Sequence, residues 1–561
     1  MTQFEVLSLT IMKHIIGREA GRKLMETNVL YYGDNLEILR KYIPDNSIDL
    51  IYLDPPFNSK ATYNVLFKEP SGEPSQAQIS AFDDTWHWGI ESEREFQEII
   101  MHAPVNVAEL ITAFRNFIHQ NDMMAYIVMM CIRLTELRRV LKDSGSIYLH
   151  CDPTASHYLK LLMDVIFSPK NFRNEIVWKR TTTVKGNVGQ GSKLWGQATD
   201  SLLFYTKTDN YIFNQPFTEY SEEYMTKAYR YLEPATGRYY RLVSMIGPGG
   251  AAKGNPRYEV MGVTRYWRYS QKKMQELIDQ GLVVQPSPGA VPHHKYYLDE
   301  GKGVPIQSLW TDIPNLQAAD AERLGYPTQK PETLLERIIQ ASSDEGNIVL
   351  DPFCGCGTAL IAAQKLNRTW IGIDITHLAI GVMKWRLDKM FPGIKYKVIG
   401  EPKDLAGARE LAKNNKFEFQ WWVVSLVGGQ PYGDKKKGAD TGIDGYLYFM
   451  DEKDKVKKAI ISVKGGGTSV KDIRDLGHVI DREKADIGIF ITLEQPTRPM
   501  GTEAVTKGFY HSPLGKDYPR IQILTIEELL KGEVPDVPPW VAPIQAPPKH
   551  KQEKGKTAKL L

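Results

Sequence analysis

Between residues 28 and 53 the apolar positions gather into two short runs with a helical stretch between them. Asn28–Tyr32 reads as a strand, Gly33-Asp34-Asn35 as a turn, and Leu36–Tyr42 as a helix. Ser47–Leu53 is densely apolar without alternation, the pattern of a strand buried on both faces, and it stops at Asp54-Pro55-Pro56-Phe57. Residues 58–92 are polar and turn-rich and predict a mobile loop carrying Phe82, Trp86 and Trp88. Helical periodicity returns over Asn121–Lys142 and ends at Asp143-Ser144-Gly145. Ser146–His150 then predicts a strand and His157–Phe167 a helix.

The pattern breaks from Lys179 to Glu300, which is rich in Tyr and Gly, weakly periodic, and holds 16 Lys and Arg against 11 Asp and Glu. Regular texture resumes at Pro327, with helices over Thr333–Ser342 and Ala359–Leu366 and strands over Asn347–Leu350 and Thr369–Ile373. A further α/β unit follows, and the Pro- and Lys-rich tail beyond Pro535 predicts disorder. The expected divisions are an N-terminal extension (1–27), an α/β half (28–178), an insert (179–315), a second α/β half (316–395), a third unit (396–534) and the tail (535–561).

Composition changes this picture little. A chain of 561 residues, 42% hydrophobic and 24% charged, suits several globular domains. A net charge of +3 neither demands nor excludes nucleic acid, so any basic surface must be local. Cys131, Cys151, Cys354 and Cys356 lack the spacing of a zinc site and read as reduced structural thiols. Apolar runs stay short of membrane-spanning length and no signal peptide is legible, so a soluble cytoplasmic protein is expected.

Two stretches carry chemistry. Asp54-Pro55-Pro56-Phe57 ends a buried strand, where open parallel sheets bind ligands. The prolines remove backbone donors, leaving carbonyls free to accept beside the Asp54 carboxylate. Such an acceptor pair suits the two hydrogens of an amino group, and Phe57 suits stacking on a planar ring. An exocyclic amine is a poor nucleophile because its lone pair is delocalised. Acceptors on both hydrogens favour a pyramidal nitrogen that can attack a sulfonium methyl. Asp54 therefore reads as an orienting and electrostatic group rather than a strong base. The bland reading is a Pro-Pro turn after a strand.

The second stretch, Val349–Thr358 (VLDPFCGCGT), predicts strand, glycine turn and helix. Gly355 and Gly357 allow close backbone approach to a ligand, and the stretch does not fit the dinucleotide glycine pattern. Asp374 ends the following strand, where an acid is placed to bind ribose hydroxyls. A tight turn alone would explain the glycines but not that acid.

At these residues the chain resembles the amino-methyltransferases of DNA, in the β order of type III modification subunits. There the D-P-P-[YF] motif precedes a target recognition region and the F-x-G-x-G motif follows it. The resemblance covers roughly residues 28–390 and includes Tyr326-Pro-Thr328-Gln-Lys330-Pro331. It implies a Rossmann-like α/β sheet with circularly permuted motif order and S-adenosylmethionine as cofactor. It implies catalytic positions at Asp54, Pro55, Pro56 and Phe57. Asp351, Phe353, Gly355, Gly357, Thr358 and Asp374 match the cofactor pocket, with Thr328, Lys330 and Asp34 on its flanks. The D-P-P form usually accompanies N6 of adenine, with N4 of cytosine as the alternative. The implied partner is double-stranded DNA with a flipped-out base. Homodimerisation and association with restriction-system subunits stay open.

Tyr224–Tyr240 and Arg265–Tyr269 interleave basic and aromatic residues, as a DNA-gripping surface would; a Tyr-rich core with a basic edge is the bland alternative. In the third unit, Gly442-Ile-Asp444-Gly445 and Ser462-Val-Lys464 resemble the Mrr-like branch of the PD-(D/E)xK nuclease fold. That resemblance implies Mg²⁺ on Asp444, with Lys464 near the attacking water and Glu418 as a compensating carboxylate. Ser462, in place of an acid or amide, weakens such a site. Four readings follow: a DNA amino-methyltransferase, a single-chain restriction-modification enzyme, a protein-glutamine methyltransferase, and a non-catalytic DNA-binding protein. Asp54 and the motif order weigh against the third, and the intact motifs against the fourth.

Overall fold

The computed structural model describes residues 25–56, 62–68, 74–83, 87–181, 193, 195–317, 320, 322–324, 326, 328–432, 442–452, 455–513 and 515–538. Phe57, Trp86 and the tail from residue 539 lie outside the described residues. By contacts the chain divides into one unit of residues 1–214 and 308–561 and another of residues 215–307.

The larger unit is built on a nine-stranded sheet. Its strands in chain order are β1 (Val29–Tyr32), β2 (Ile48–Leu53), β3 (Leu141–Cys151), β4 (Phe172–Lys179), β5 (Thr199–Thr206), β6 (Leu309–Trp310), β7 (Ile348–Asp351), β8 (Thr369–Asp374) and β9 (Lys397–Ile399). Their spatial order is β6-β4-β5-β3-β2-β7-β8-β1-β9. The six strands from β3 to β9 in that order run parallel, and β5 joins β3 antiparallel. Every residue of β2 is buried, because helices cover both faces. The permuted order has a direct consequence: β7, from the C-terminal half, slots between β2 and β8. The C-terminal ends of β2, β7, β8 and β1 therefore open on one sheet edge.

The helices follow local signals. Asp34 caps α1 (Asn35–Tyr42) by accepting from the backbone N–H groups of Leu36 and Glu37. Asn121 caps α2 (Asp122–Val140), which is buried around almost its whole circumference from Met124 to Leu134. Helices α3 (Glu332–Ser342), α4 (Thr358–Lys365) and α5 (His377–Met390) complete the C-terminal half.

Three expectations need correction. Helix α2 stops at Val140 because Leu141 is already extended, and β3 begins five residues before the expected Ser146. The segment expected as a mobile loop contains an antiparallel hairpin, Thr62–Lys68 with Pro74–Asp83, and a helix from Ile90. Trp88, expected to be a loop aromatic, instead packs edge-on to Phe96 at 6.2 Å, under the Arg115 guanidinium. Finally, the compact insert is narrower than residues 179–315. Thr199–Thr206 pairs with both β3 and β4 and so belongs to the main sheet.

Residues 215–307 hold a small antiparallel sheet around Tyr239–Ser244 and His293–Tyr297, over a core of Met245, Val260, Trp267, Met274 and Leu277. Towards the C-terminus, helix α6 (Lys416–Leu426) precedes a second five-stranded sheet. Its strands are Gln430–Pro431, Gly445–Glu452, Lys455–Lys464, Ile487–Thr492 and Ile521–Thr525, in that order. No helix among the described residues is long and apolar enough to cross a membrane.

Candidate functional site

A cavity of about 260 Å³ opens where the ends of β2, β7, β8 and β1 meet. Asp54, Pro55 and Pro56 line it from β2; Asp351, Phe353, Gly355 and Thr358 from β7 and the turn into α4; Asp374 from β8; and Asp34 after β1. Thr328 and Lys330 complete the wall. The two sequence stretches thus converge on one space. Gly357 sits in the same turn as the N-cap of α4.

The glycine turn explains itself sterically. Gly357 has φ +78°, and a Cβ there would lie 2.7 Å from Met383 Cγ. Gly355 has φ +49°, and its Cβ would press on the Tyr326 ring at 3.3 Å, towards the cavity. The bare backbone keeps that space open.

Each carboxylate has a distinct environment. Asp374 accepts from the Gly355 N–H at 2.9 Å and from both the N–H and hydroxyl of Thr376 at 2.9 Å. Burial pushes its pKa up to about 6, against the restraint of those hydrogen bonds. Asp351 is buried, accepts from the Phe353 N–H at 3.1 Å, and is raised well above the usual carboxylate range by that burial. Lys330, expected on the donor's flank, places its ammonium against the Asp54 carboxylate.

Asp34 spends one oxygen capping α1 and the other on Arg133 at 2.7 Å. Arg133 also donates to Asn35 at 2.7 Å and to Glu95 at 3.0 Å, and Asn35 donates in turn to the Pro352 carbonyl at 2.9 Å. This chain of contacts ties α2 to β7 and fixes the floor of the cavity. Arg133 was missed by sequence reasoning, although a lone arginine within the apolar run of α2 was a usable signal. Tyr52 and Asn35 also line the cavity and were given no role, and Tyr326 was quoted only within the segment that carries the resemblance.

The cradle fits a nucleoside-linked sulfonium. Asp374 offers acceptor lone pairs at the strand end, the glycine turn leaves its Cβ space empty, and the largely apolar wall carries the carboxylates of Asp34, Asp54 and Asp351 with Arg133 and Lys330.

The insert presents a mixed surface. Tyr224 and Tyr239 are exposed, and Arg238 lies 3.8 Å over the Tyr297 ring. Trp267 and Tyr229, expected on the basic-aromatic surface, are buried in the core. Part of the basic charge is spent on internal pairs, Arg238 with Asp299 and Glu300, and Lys295 with Glu233.

The nuclease-like constellation does not assemble as expected. Asp444 Oδ2 accepts from the Val463 N–H at 2.6 Å, and Lys464 lies 3.8 Å from Asp472. Glu418, expected as a compensating ligand, instead accepts from the backbone N–H of His377 at 3.3 Å, at the start of α5. Helix α6 packs Phe419, Trp422 and Val423 on the second sheet, and the His377 it contacts stacks on Tyr32 of β1 at 3.7 Å. Among the described residues, no group of three or more His, Cys, Asp or Glu side chains is placed to hold a metal. These residues do not fit Mg²⁺. Asp444→Ala is therefore expected to destabilise the C-terminal sheet by ~1–3 kcal/mol, by leaving the Val463 N–H unpaired. Chemical denaturation would register the loss, and unchanged stability would contradict the assignment.

Comparison with known proteins gives two family matches. A profile described as DNA methylase, of the N6/N4 type, covers residues 48–382. Another, described as NACHT-associated inactive restriction endonuclease 1, covers residues 418–531. Type II methyltransferase M.EcaI of Enterobacter cloacae is 31% identical over 253 residues, 45% of this chain and 54% of that protein. The type III restriction-modification enzyme StyLTI Mod subunit of Salmonella typhimurium is 27% identical over 361 residues, 61% of this chain and 50% of that protein. DNA adenine methyltransferase YhdJ of Escherichia coli is 25% identical over 373 residues, 66% of this chain and 86% of that protein. The chain spans about half the length of the first two relatives.

Proposed function

Because this chain belongs to the N6/N4 DNA methylase family, we propose that it methylates the exocyclic N6 of adenine in double-stranded DNA. The observation that carries the reading is the single cavity shared by Asp54-Pro55-Pro56 and the Gly355–Asp374 cradle. S-adenosylmethionine supplies an electrophilic methyl on a sulfonium. In this reading Asp374 takes the ribose hydroxyls, and Gly355, Gly357 and Thr358 form the turn that receives the donor. Phe353, Asp351 and Thr328 line its pocket, and Arg133 holds Asp34 and Asn35 beneath it.

The acceptor amine sits against Asp54 and the carbonyls freed by Pro55 and Pro56. Lys330 fixes the orientation of the Asp54 carboxylate, so the acceptor is aimed before the base arrives. Phe57 stacks on the base. Reaching that nitrogen requires the base to leave the duplex, and the exposed tyrosines and arginines of residues 215–307 supply the grip. Adenine is favoured by the D-P-P form and by the resemblance to a DNA adenine methyltransferase. The C-terminal unit is read as non-cleaving, since Glu418 is committed to α5 and Ser462 replaces an acid.

The test is transfer of labelled methyl to duplex DNA by the purified protein, followed by mass spectrometry of the nucleosides. N6-methyldeoxyadenosine is the expected product. N4-methyldeoxycytidine would overturn the base assignment, and no labelled nucleoside would overturn the function. Plasmid that stays intact with Mg²⁺ is expected in parallel; cleavage lost on Lys464→Ala would overturn the non-cleaving reading.

Donor affinity should also depend on pH. Asp374, with its pKa raised to about 6, is ionised above that value and protonated below it. Protonation removes acceptor capacity and a negative charge near the sulfonium, so affinity is present above pH 6 and falls as pH drops through it. Calorimetry between about pH 5 and 8 should show this slope, and Asp374→Asn should flatten it. An equal slope in the variant would contradict the assignment.

A further inference from the structure

Methyl transfer to an amine leaves a proton to be removed, and the Asp54 carboxylate is already in contact with Lys330. Tyr52 of β2 stands two residues before Asp54, which follows the strand's end, and both line the same cavity. Its hydroxyl lies 2.9 Å from His150 Nδ1, and His150 Nε2 lies 3.2 Å from Asp200 Oδ2. Tyr52, His150 and Asp200 are all within 2% of complete burial. Arg180 closes the row, 3.2 Å from Asp200 Oδ1. Buried polar side chains in the middle of a sheet are costly, and a row that begins at the cavity wall beside the acceptor site calls for a use.

Hydrogen positions follow from the charges. Burial works to raise Asp200, but its hydrogen bond with His150 and the nearby Lys330 and Arg180 charges carry it below the usual carboxylate range. An ionised Asp200 only accepts, so His150 Nε2 bears the hydrogen, Nδ1 accepts, and the Tyr52 hydroxyl donates inward. The Tyr52 oxygen keeps lone pairs free to accept. Among the described residues, Asp54, Asp351 and Asp200 act electrostatically on Tyr52, and Lys330 and Arg180 act on Asp200. Trp178, edge-on to His150 at 5.7 Å, adds no charge.

We propose that Tyr52, His150 and Asp200 form a proton path that takes up the proton shed by the amine as it is methylated. This rests on the reading that the acceptor is an exocyclic amine. The N–CH₃ bond forms as the S–CH₃ bond breaks, with the electron pair staying on sulfur. The nitrogen's proton passes to the Tyr52 oxygen while the Tyr52 proton passes to His150 Nδ1. The result is an imidazolium facing the Asp200 carboxylate, and the proton returns to water by the same route after product leaves. Tyr52 is the catalytic residue of the path; His150 and Asp200 are positioning residues behind it.

The experiment compares single-turnover methylation of duplex DNA by the full chain and by Tyr52→Phe, in H₂O and D₂O, with donor affinity measured separately. Wild type should be slower in D₂O. Tyr52→Phe should be about a hundredfold slower, lose the solvent isotope effect and bind donor unchanged. Nitrogen NMR of the free protein should find the His150 hydrogen on Nε2. Tyr52→Phe keeps the ring and its packing, so the comparison is made on a folded protein. A Tyr52→Phe protein with wild-type rate and isotope effect, or a His150 hydrogen on Nδ1, overturns the path alone. Wild type that transfers no methyl to DNA overturns the functional reading and the path together.

Discussion

Asp54→Ala is expected to lower the methyl-transfer rate by about a thousandfold or more while donor affinity stays within about threefold of wild type. The asymmetry follows from position. Asp54 lies at the end of β2, across the cavity from the Gly355–Asp374 cradle, and its contact is with Lys330 rather than with the glycine turn. Removing the carboxylate deletes an acceptor for the amine and leaves the Lys330 ammonium facing the same space, so the substrate meets a cation where it needs a lone pair. Single-turnover rates and calorimetry separate the two effects. Equal loss of rate and donor affinity would contradict the role.

Asp374→Ala should do the reverse. The carboxylate accepts from Gly355 and twice from Thr376, and so holds the glycine turn and the start of α5 around the cavity. Its loss removes the ribose acceptor and loosens the turn. A charged hydrogen bond contributes ~1.5–3 kcal/mol, so donor Kd should rise roughly ten- to hundredfold. At saturating donor the rate should recover most of its wild-type value. A variant that binds donor normally but transfers slowly would place Asp374 on the acceptor side and contradict the assignment.

Much of the α/β frame was legible because its strands are buried on both faces. Runs such as Ile48–Leu53 and Thr369–Asp374 carry a strong signal that no tertiary contact reverses. The glycines and acids at the strand ends were legible for a related reason, since a turn that approaches a ligand tolerates few residue types. The polar second layer was not. Arg133, Asn35 and the Tyr52–His150–Asp200 row depend on pairings between residues 98 or 50 positions apart, which periodicity does not report. Two surface readings failed in the same way. Trp267 lies in a basic-aromatic string yet fills the core of its unit, and Glu418 lies on a helix that packs on the second sheet while its carboxylate turns to the start of α5. The hairpin of Thr62–Lys68 with Pro74–Asp83 went unread because its two strands pair only with each other, outside the main sheet.

The most direct test is a crystal structure of the full chain with S-adenosylmethionine bound. The ribose should lie on Asp374 and the methyl carbon should face Asp54 and the carbonyls before Pro55 and Pro56. A donor seated elsewhere, or one with its methyl turned away from Asp54, would contradict the claim that one cavity joins donor and acceptor.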